Sequence, residues 1–185
     1  MKAIVTGGEG GLGRAFRARL EREGYQVESL DISTGFDVTD PAAWERVGPV
    51  DLACLNAGVL TGELGVESYR RAVAVNVDGV VLGVLRLREI MREGSIVATA
   101  SLAGLTAMPS DPVYSLTKHA VVGFVRSMAP HLEPVAVAEA LWRAATSGAT
   151  GECWFVQPGR EPAPFRFPSV PGPRVDGERV GTPPV

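Results

Sequence analysis

Residues that bind metals or form disulfides are scarce in this chain. It has two cysteines, Cys54 and Cys153, and two histidines, His119 and His131. The cysteines lie far apart in apolar runs without a CxxC spacing, and neither histidine lies near a cysteine or an acidic cluster. This distribution excludes the common zinc motifs and a disulfide framework. We therefore expect no metal site and two reduced cysteines in the core.

Long hydrophobic runs and a strong net charge are also absent. No apolar stretch approaches the length of a membrane span, and the chain begins with a strand-like run, Ala3–Val5, rather than a signal sequence. We expect a cytoplasmic protein. The formal net charge of −3 gives no reason to expect a nucleic-acid or membrane partner. Lysine is rare, since Lys2 and Lys118 are the only two among 18 basic residues.

Short apolar runs alternate with longer amphipathic segments along most of the chain. This alternation is typical of a parallel sheet covered by helices. We predict one α/β domain over residues 1–157, a doubly wound parallel sheet in a three-layer αβα arrangement. The predicted strands are Lys2–Thr6, Gln26–Asp31, Leu52–Asn56, Ser95–Ser101 and Glu152–Gln157. The predicted helices are Leu12–Glu23, Pro41–Val47, Glu67–Met91, Val113–His131 and Pro134–Ser147.

The last 28 residues differ from the rest in composition. Residues 158–185 hold eight of the 14 prolines and show neither helical nor strand periodicity. We predict a Pro-rich C-terminal tail that is either disordered or an extended arm.

A glycine-rich turn follows the first predicted strand and opens a helix. Its glycines, Gly7, Gly11 and Gly13, allow a tight turn and close approach to a pyrophosphate, and with Leu12 they lead into the helix N-terminus, whose N–H groups favour an anion. A glycine-rich corner alone is weak evidence. However, Asp31 follows 18 residues after Gly13, at the end of the second strand, where a carboxylate can bind ribose hydroxyls. It would repel a 2′-phosphate, so the pair favours NAD over NADP.

Two further short motifs follow predicted strands or turns. Asp37-Val38 offers an acceptor beside an apolar residue, which is suited to flank an adenine ring, although such a pair is more often a surface turn. The tripeptide Asn56, Ala57 and Gly58 stands at the carboxyl end of the predicted strand Leu52–Asn56. Small residues at such an end leave room for a cofactor. Alone, this tripeptide indicates only a turn.

Tyr114 and Lys118 are four residues apart on a predicted helix and therefore share one face. An ammonium close to a phenol favours the phenolate, which makes Tyr114 a candidate general acid/base. An ordinary amphipathic helix would show the same spacing. Ser101 precedes Tyr114 by thirteen residues at the end of a strand, where its hydroxyl can hold a substrate oxygen.

Asn76 is an amide within an otherwise apolar stripe of the helix Glu67–Met91. We expect this stripe to lie along one buried side; it consists of Tyr69, Ala72, Val73, Asn76, Val77, Val80 and Val84. A buried amide needs partners, so Asn76 is either a structural residue that bends the helix or an anchor for ordered water.

In this order, the motifs resemble those of the short-chain dehydrogenase/reductase family. The family's TGxxxGxG loop corresponds to Thr6–Gly13, its NAG to Asn56–Gly58 and its YxxxK to Tyr114–Lys118. Its catalytic serine and asparagine correspond by motif to Ser101, in TASLAG, and Asn76, in VNVDG. Five motifs in register make the resemblance specific. It covers residues 1–125 well and residues 138–158 more loosely.

The resemblance implies a Rossmann-like fold and an NAD-dependent enzyme that oxidises or reduces an alcohol or ketone of a small organic substrate. It implies that Tyr114 is the general acid/base and that Lys118 tunes it and holds the nicotinamide ribose. By the same likeness Ser101 orients the substrate and Asn76 anchors a relay water. The family usually forms dimers or tetramers through its long helices, so we expect a homodimer or homotetramer.

The sequence departs from the family after the Tyr114 helix. The family's sixth strand and its substrate lid are missing, since Arg126–Pro134 runs almost directly into the last predicted helix. Either the last helix and strand are rearranged, or the sequence omits a stretch around His131–Pro134; we favour the second, because both flanks retain the family's pattern and a mobile lid belongs there. An alternative function is a non-catalytic dinucleotide-binding member, a redox sensor or scaffold. NADP-dependent reduction is a third possibility that Asp31 disfavours.

Overall fold

A computed structural model describes residues 1–128 in full and, beyond them, the backbone of two short strands, Cys153–Phe155 and Ala163–Phe165. The chain divides into two compact units, Met1–Glu152 and Cys153–Val185. All the motifs described above lie in the first unit.

Four parallel strands form the sheet of the first unit. They are β1 (Lys2–Thr6), β2 (Gln26–Leu30), β3 (Leu52–Leu55) and β4 (Ser95–Ala98), in the order β2-β1-β3-β4. The order reverses at β1, because β2 pairs on one side of it and β3 on the other. This confirms the predicted doubly wound α/β fold. In such sheets ligands bind outside the carboxyl ends of the strands, beside the reversal.

One face of this sheet packs against α1 (Gly11–Arg22). Leu20 of α1 covers alternate residues of β1 and β3, namely Ala3, Val5, Leu52 and Cys54. Cys54 is free and buried, as predicted, and burial raises the pKa of its thiol to about 12. The thiol is therefore a core group and not a nucleophile.

The opposite face packs against α2 (Pro41–Glu45), α4 (Gly79–Ile90) and α5 (Pro112–Met128). Trp44 of α2 is fully buried and donates its indole N–H to the carbonyl of Val38 at 2.9 Å. A Cβ on Gly83 of α4 would come within 2.8 Å of both Trp44 and Leu55, so glycine there permits close packing of helix and sheet. The central strand β3 is accordingly a continuous apolar run, whereas the edge strand β2 is partly exposed and carries Gln26, Glu28 and Ser29.

The predicted helix Glu67–Met91 contains a π-helical turn. Its parts are α3 (Val66–Val73), the π turn Ala74–Asp78 and α4. Four residues of the predicted stripe are buried: Ala72, Asn76, Val80 and Val84. These buried residues are spaced four apart, whereas an α-helix has 3.6 residues per turn. The π turn has more residues per turn, so it compensates for part of this difference.

Tyr69 is an exception to the predicted stripe. It is 45% exposed, so its assignment to the buried side is wrong. It lies in the first turn of α3, where Val66 is exposed as well, and this end of the helix stands clear of the core.

The second unit contains a two-stranded antiparallel sheet. The strand predicted at Glu152–Gln157 is β5 (Cys153–Phe155), and it pairs antiparallel with β6 (Ala163–Phe165). The expectation that this strand completes the parallel sheet is therefore wrong; β6 lies in the stretch expected to be a disordered tail or an extended arm. A short loop is sufficient to join antiparallel strands.

Two predicted features lie outside the described residues: the helix Pro134–Ser147 and the connection at His131–Pro134. Within the part of the chain that the structure describes, no helix is long and apolar enough to cross a membrane.

Candidate active site

The candidate site lies where β1, β3 and β4 end. Thr6, the last residue of β1, accepts hydrogen bonds at its Oγ1 from the N–H groups of Asn56 (2.8 Å) and Ala57 (3.0 Å). The Asn56 amide donates to the carbonyls of Thr6 (3.2 Å) and Gly7 (3.4 Å). The glycine-rich turn and the Asn-Ala-Gly segment therefore meet at the reversal of strand order.

Two glycines of the turn are required by the packing of the protein itself. Gly7 has φ +62°, in the left-handed region that favours glycine, and a Cβ on it would lie 2.9 Å from Cα of Ala57. A Cβ on Gly13 would lie 2.1 Å from the carbonyl oxygen of Gly7. These positions explain the tight turn without reference to any ligand.

Gly11 has no such structural requirement. It is the first residue of α1, its φ is not positive, and a Cβ there would meet no atom within 4 Å. Leu12, the next residue, is 72% exposed. The first turn of α1 holds no acidic residue, and its N-cap residue, Gly10, has no side chain that could bond to the N–H groups of that turn. This helix N-terminus is therefore open to an anion.

Asp31 stands beside the glycine-rich turn. Its carboxylate accepts hydrogen bonds from the N–H of Glu9 (3.1 Å), the N–H of Ser33 (2.9 Å) and the hydroxyl of Ser33 (2.7 Å). The Ser33 N–H, with the other donors, holds the pKa of Asp31 below its ordinary value although partial burial opposes this. Asp31 is therefore ionised at neutral pH.

Two arginines of α1 interact with Glu9. Arg14 lies 3.6 Å from the Glu9 carboxylate and by its charge also helps to lower the pKa of Asp31, and Arg17 donates to the Glu9 carboxylate. Two acidic side chains thus stand near the end of β2, and both arginines have Glu9 as a partner.

Asp37 and Val38 behave differently from one another. Asp37 is exposed and accepts from the N–H and the hydroxyl of Thr39 (both 2.8 Å), which makes a local turn. Val38 is buried, and its side chain lies against Gly79 in the core. Val38 thus contributes to the core, where its carbonyl also accepts from Trp44, and its place beside an adenine stays a prediction.

Lys118 connects α5 to the ends of the strands. Its ammonium donates to the carbonyl of Thr99 (2.7 Å), and Thr99 Oγ1 donates to Asn56 Oδ1 (3.2 Å). The ammonium also lies 5.7 Å from the centre of the Tyr114 ring. Hydrogen bonds thus run from the Gly7 carbonyl through Asn56 and Thr99 to Lys118, linking three of the sequence motifs.

The environment of Lys118 is unusual for a lysine. The residue is 3% exposed, and burial lowers its pKa to about 8. Within the described residues no carboxylate pairs with it. A buried ammonium without a counter-charge is unfavourable to stability, which points to a functional role.

Ser101 lies just beyond β4, which ends at Ala98, three residues earlier than predicted. It caps a short 3₁₀ turn, Leu102–Gly104, and accepts at Oγ from the N–H of Ala103 (3.2 Å). A Cβ on Gly104 would lie 2.6 Å from the Lys118 carbonyl, so glycine lets this turn pack directly on α5.

Asn76 is fully buried, and both ends of its amide are hydrogen-bonded. Its Oδ1 accepts from the N–H of Val59 (2.7 Å), and its Nδ2 donates to the Val59 carbonyl (2.9 Å) and to Thr117 Oγ1 (3.0 Å). A Cβ on Gly58 would lie 3.3 Å from Asn76 Oδ1 and 3.6 Å from Lys118 Nζ. Gly58 is thus close both to Asn76, at the centre of the π turn, and to Lys118 of α5.

Sequence reasoning missed three polar residues that hold these groups in place. Thr99 receives the Lys118 bond, and Thr117 the Asn76 bond. Asp111 accepts from the N–H of Tyr114 (2.9 Å) and from Thr61. Only Asp111 has a signal in the sequence, since an Asp followed by Pro is a common helix start.

Comparisons with known proteins place this site in a family. The model of the short chain dehydrogenase family matches residues 36–140. The chain therefore belongs to the short-chain dehydrogenase family, as its motifs suggest.

Curated relatives and a solved structure agree with this assignment. Levodione reductase of Leifsonia aquatica is 32% identical over 164 residues, covering 68% of this chain and 61% of the relative. The 2-dehydro-3-deoxy-L-rhamnonate dehydrogenase (NAD(+)) of a Sphingomonas species is 31% identical, covering 70% and 65%. A short-chain dehydrogenase-type structure from Novosphingobium aromaticivorans superposes with a TM-score of 0.60 at 27% identity, covering 69% and 62%. The chain thus spans less than two thirds of the length of these relatives.

Proposed function

We propose that the protein is an oxidoreductase that transfers a hydride between NAD(H) and the alcohol or carbonyl group of a small organic substrate. The observation that supports this most strongly is the buried, uncompensated ammonium of Lys118, held beside the Tyr114 ring at the ends of the strands. Among the relatives, one is named a reductase and another an NAD(+) dehydrogenase.

The glycine-rich turn fits a dinucleotide. Packing accounts for Gly7 and Gly13 but not for Gly11, and an open helix N-terminus lies beside it. In the proposal, three groups of residues hold the dinucleotide. The pyrophosphate is held by Gly7, Gly11, Leu12 and Gly13, and the adenosine by Asp31, Asp37 and Val38. The nicotinamide riboside is held by Asn56, Ala57, Gly58, Tyr114 and Lys118. When bound, the nicotinamide supplies the hydride donor or acceptor.

Asp31 favours NAD over NADP in this proposal. Its ionised carboxylate can accept hydrogen bonds from ribose hydroxyls and would repel a 2′-phosphate. Arg14 and Arg17, the cations that could compensate a phosphate, are engaged with Glu9.

Tyr114 acts as the general acid/base. Its phenol gives a proton to the substrate oxygen during reduction and takes one during oxidation. The Lys118 ammonium lies 5.7 Å from the centre of the Tyr114 ring and can donate a hydrogen bond to a ribose hydroxyl. Because Lys118 is bonded to a main-chain carbonyl rather than to a carboxylate, its charge is not neutralised locally.

Ser101 and Asn76 support this chemistry. Ser101 Oγ accepts from Ala103, and in the described part of the chain nothing takes its own proton, so it can donate to the substrate oxygen. Both Nδ2 protons of Asn76 are engaged by Val59 and Thr117, so the proposed relay water would be held by a carbonyl of the π turn or by the second acceptor position of Asn76 Oδ1. π turns are common at functional sites.

The assembly is part of the proposal. Leu85 of α4 and Leu116 of α5 are large apolar side chains that are 44% and 53% exposed. They support a homodimer or homotetramer formed through these helices, and sedimentation equilibrium would measure this assembly directly. We also propose a cytoplasmic location.

The test is a screen of secondary alcohols and ketones with NAD(H) and NADP(H), followed at the nicotinamide absorbance. Calorimetry with NADH on the same preparation separates binding from turnover. We expect NADH binding and oxidation or reduction of at least one substrate class. Tight NADH binding without turnover of any compound would favour the dinucleotide-binding sensor or scaffold instead.

A further inference from the structure

Asp111 is a buried carboxylate that serves two elements at once. It directly precedes α5, is 7% exposed, and accepts at Oδ1 from the N–H of Tyr114 (2.9 Å), as a helix N-cap does. Its Oδ1 also accepts from the hydroxyl of Thr61, and its Oδ2 from the N–H of Thr61 (2.9 Å). Burial raises the pKa of Asp111, but donors from Thr61 and Tyr114 outweigh it and hold this pKa below its ordinary value.

Capping alone does not require this arrangement. Asp40 caps α2 by accepting from the N–H of Ala42 (2.9 Å), and it is exposed. Asp111 does the same for α5 but is buried and uses its remaining acceptor capacity on Thr61, fifty residues away in sequence. The additional bonds therefore connect the start of α5 to the segment that follows Gly58.

That segment is joined to α5 at a second point. Val59 is held at both its N–H and its carbonyl by Asn76, and Asn76 donates to Thr117 of α5. The segment from Val59 to Thr61 is thus tied at each end to the helix that presents Tyr114. Two connections to one rigid helix fix the position of α5 along its axis and its rotation about that axis, relative to the segment from Val59 to Thr61.

We infer that Asp111 is a positioning residue for the reaction: it holds the first turn of α5, and with it Tyr114, in register with the Gly58–Thr61 segment. The inference rests on the proposed function, in which Tyr114 exchanges a proton with the substrate beside Gly58. Displacement of an acid/base group by about 1 Å can lower a rate about a hundredfold. The tie to Thr61 therefore affects turnover more than the binding of either ligand.

The experiment compares Asp111→Ser with Asp40→Ser. Serine keeps a single cap oxygen and has no second oxygen to accept from the Thr61 N–H, so Asp111→Ser removes the main-chain bond of the tie and keeps the cap. We expect kcat to fall about ten- to hundredfold, with KM and the NADH Kd within about twofold of the unmodified protein. Asp40→Ser, a cap replacement away from the site, should leave kcat unchanged.

A double-mutant cycle with Thr61→Val isolates the hydroxyl part of the tie, since valine keeps the main-chain N–H that donates to Asp111 Oδ2. We expect Thr61→Val alone to lower kcat, by less than Asp111→Ser does, and to add little to Asp111→Ser, because both weaken the same tie. If Asp111→Ser fails to fold, Thr61→Val carries the test by itself, with Tm as the check on folding.

An unchanged kcat in either folded variant, or strictly additive effects, would overturn the inference while the unmodified enzyme still turns over substrate. Absence of turnover in the unmodified protein would overturn the proposed function and the inference together.

Discussion

The ammonium of Lys118 donates a 2.7 Å hydrogen bond to the main-chain carbonyl of Thr99, the residue directly after β4. This bond places a cation in a buried position where burial lowers its pKa to about 8. A neutral residue of similar shape would avoid the desolvation cost of the charge. The chain has only one other lysine, Lys2. A lysine at position 118 is explained if its charge is needed when the dinucleotide is bound.

The first prediction concerns stability and pH at Lys118. Its pKa is 10.5 ordinarily and about 8 when folded, so between these values the unfolded chain binds more protons than the folded one. The free energy of unfolding therefore rises with pH from about 8 to 10.5. We expect the unmodified protein to gain stability relative to Lys118→Met over that range, by roughly 3 kcal/mol at most, with no change in the difference below pH 8.

Denaturant unfolding at several pH values measures this difference. Lys2→Met, at the exposed second lysine, is the matched control. A difference between the unmodified protein and Lys118→Met that stays constant from pH 7 to 10.5 would show that Lys118 is not desolvated as described.

The second prediction concerns cofactor choice. We expect the unmodified protein to bind NADH at least about tenfold more tightly than NADPH, a difference of roughly 1.4 kcal/mol, because Asp31 is ionised beside the turn. Asp31→Ser should narrow this preference, whereas Glu28→Gln, which removes an exposed charge from β2, the strand that precedes Asp31, should not. Calorimetric titration of both dinucleotides decides the matter, and equal affinities in the unmodified protein would refute the role of Asp31.

The third prediction concerns Gly11. A Cβ there meets no protein atom, so Gly11→Ala should leave Tm unchanged or raise it slightly, since Ala favours a helix over Gly by about 1 kcal/mol. We expect the variant to bind NADH at least about tenfold more weakly, because the added methyl would stand where the pyrophosphate approaches the backbone. Gly123→Ala is the matched control, because Gly123 is a helical glycine of α5 that also has open space around it. If both variants bind NADH as the unmodified protein does, Gly11 faces no ligand.

Local patterns were sufficient to predict the four parallel strands and the helices between them. The buried strands β1 and β3 are apolar runs, and glycine corners follow β1 and precede β2 and β4, so these boundaries are marked to within a few residues. The same reasoning located Tyr114 and Lys118 on one helix face, because a four-residue spacing is a local property.

Contacts between distant segments could not be predicted in this way. The Asp111–Thr61 and Lys118–Thr99 bonds join residues fifty and nineteen positions apart, and no spacing rule relates them. The β6 strand was missed because Ala-Pro-Phe is too short to alternate and contains a proline. The inward direction of Val38 depends on Gly79 and Trp44, which come from other elements.

The most direct test of the central proposal is Tyr114→Phe, assayed with a substrate that the unmodified protein turns over. Phenylalanine keeps the ring beside Lys118 and removes only the oxygen that exchanges the proton. We expect kcat to fall at least about a hundredfold, while the NADH Kd from calorimetry stays within about twofold. Full activity of Tyr114→Phe would contradict the assignment of Tyr114 as the general acid/base.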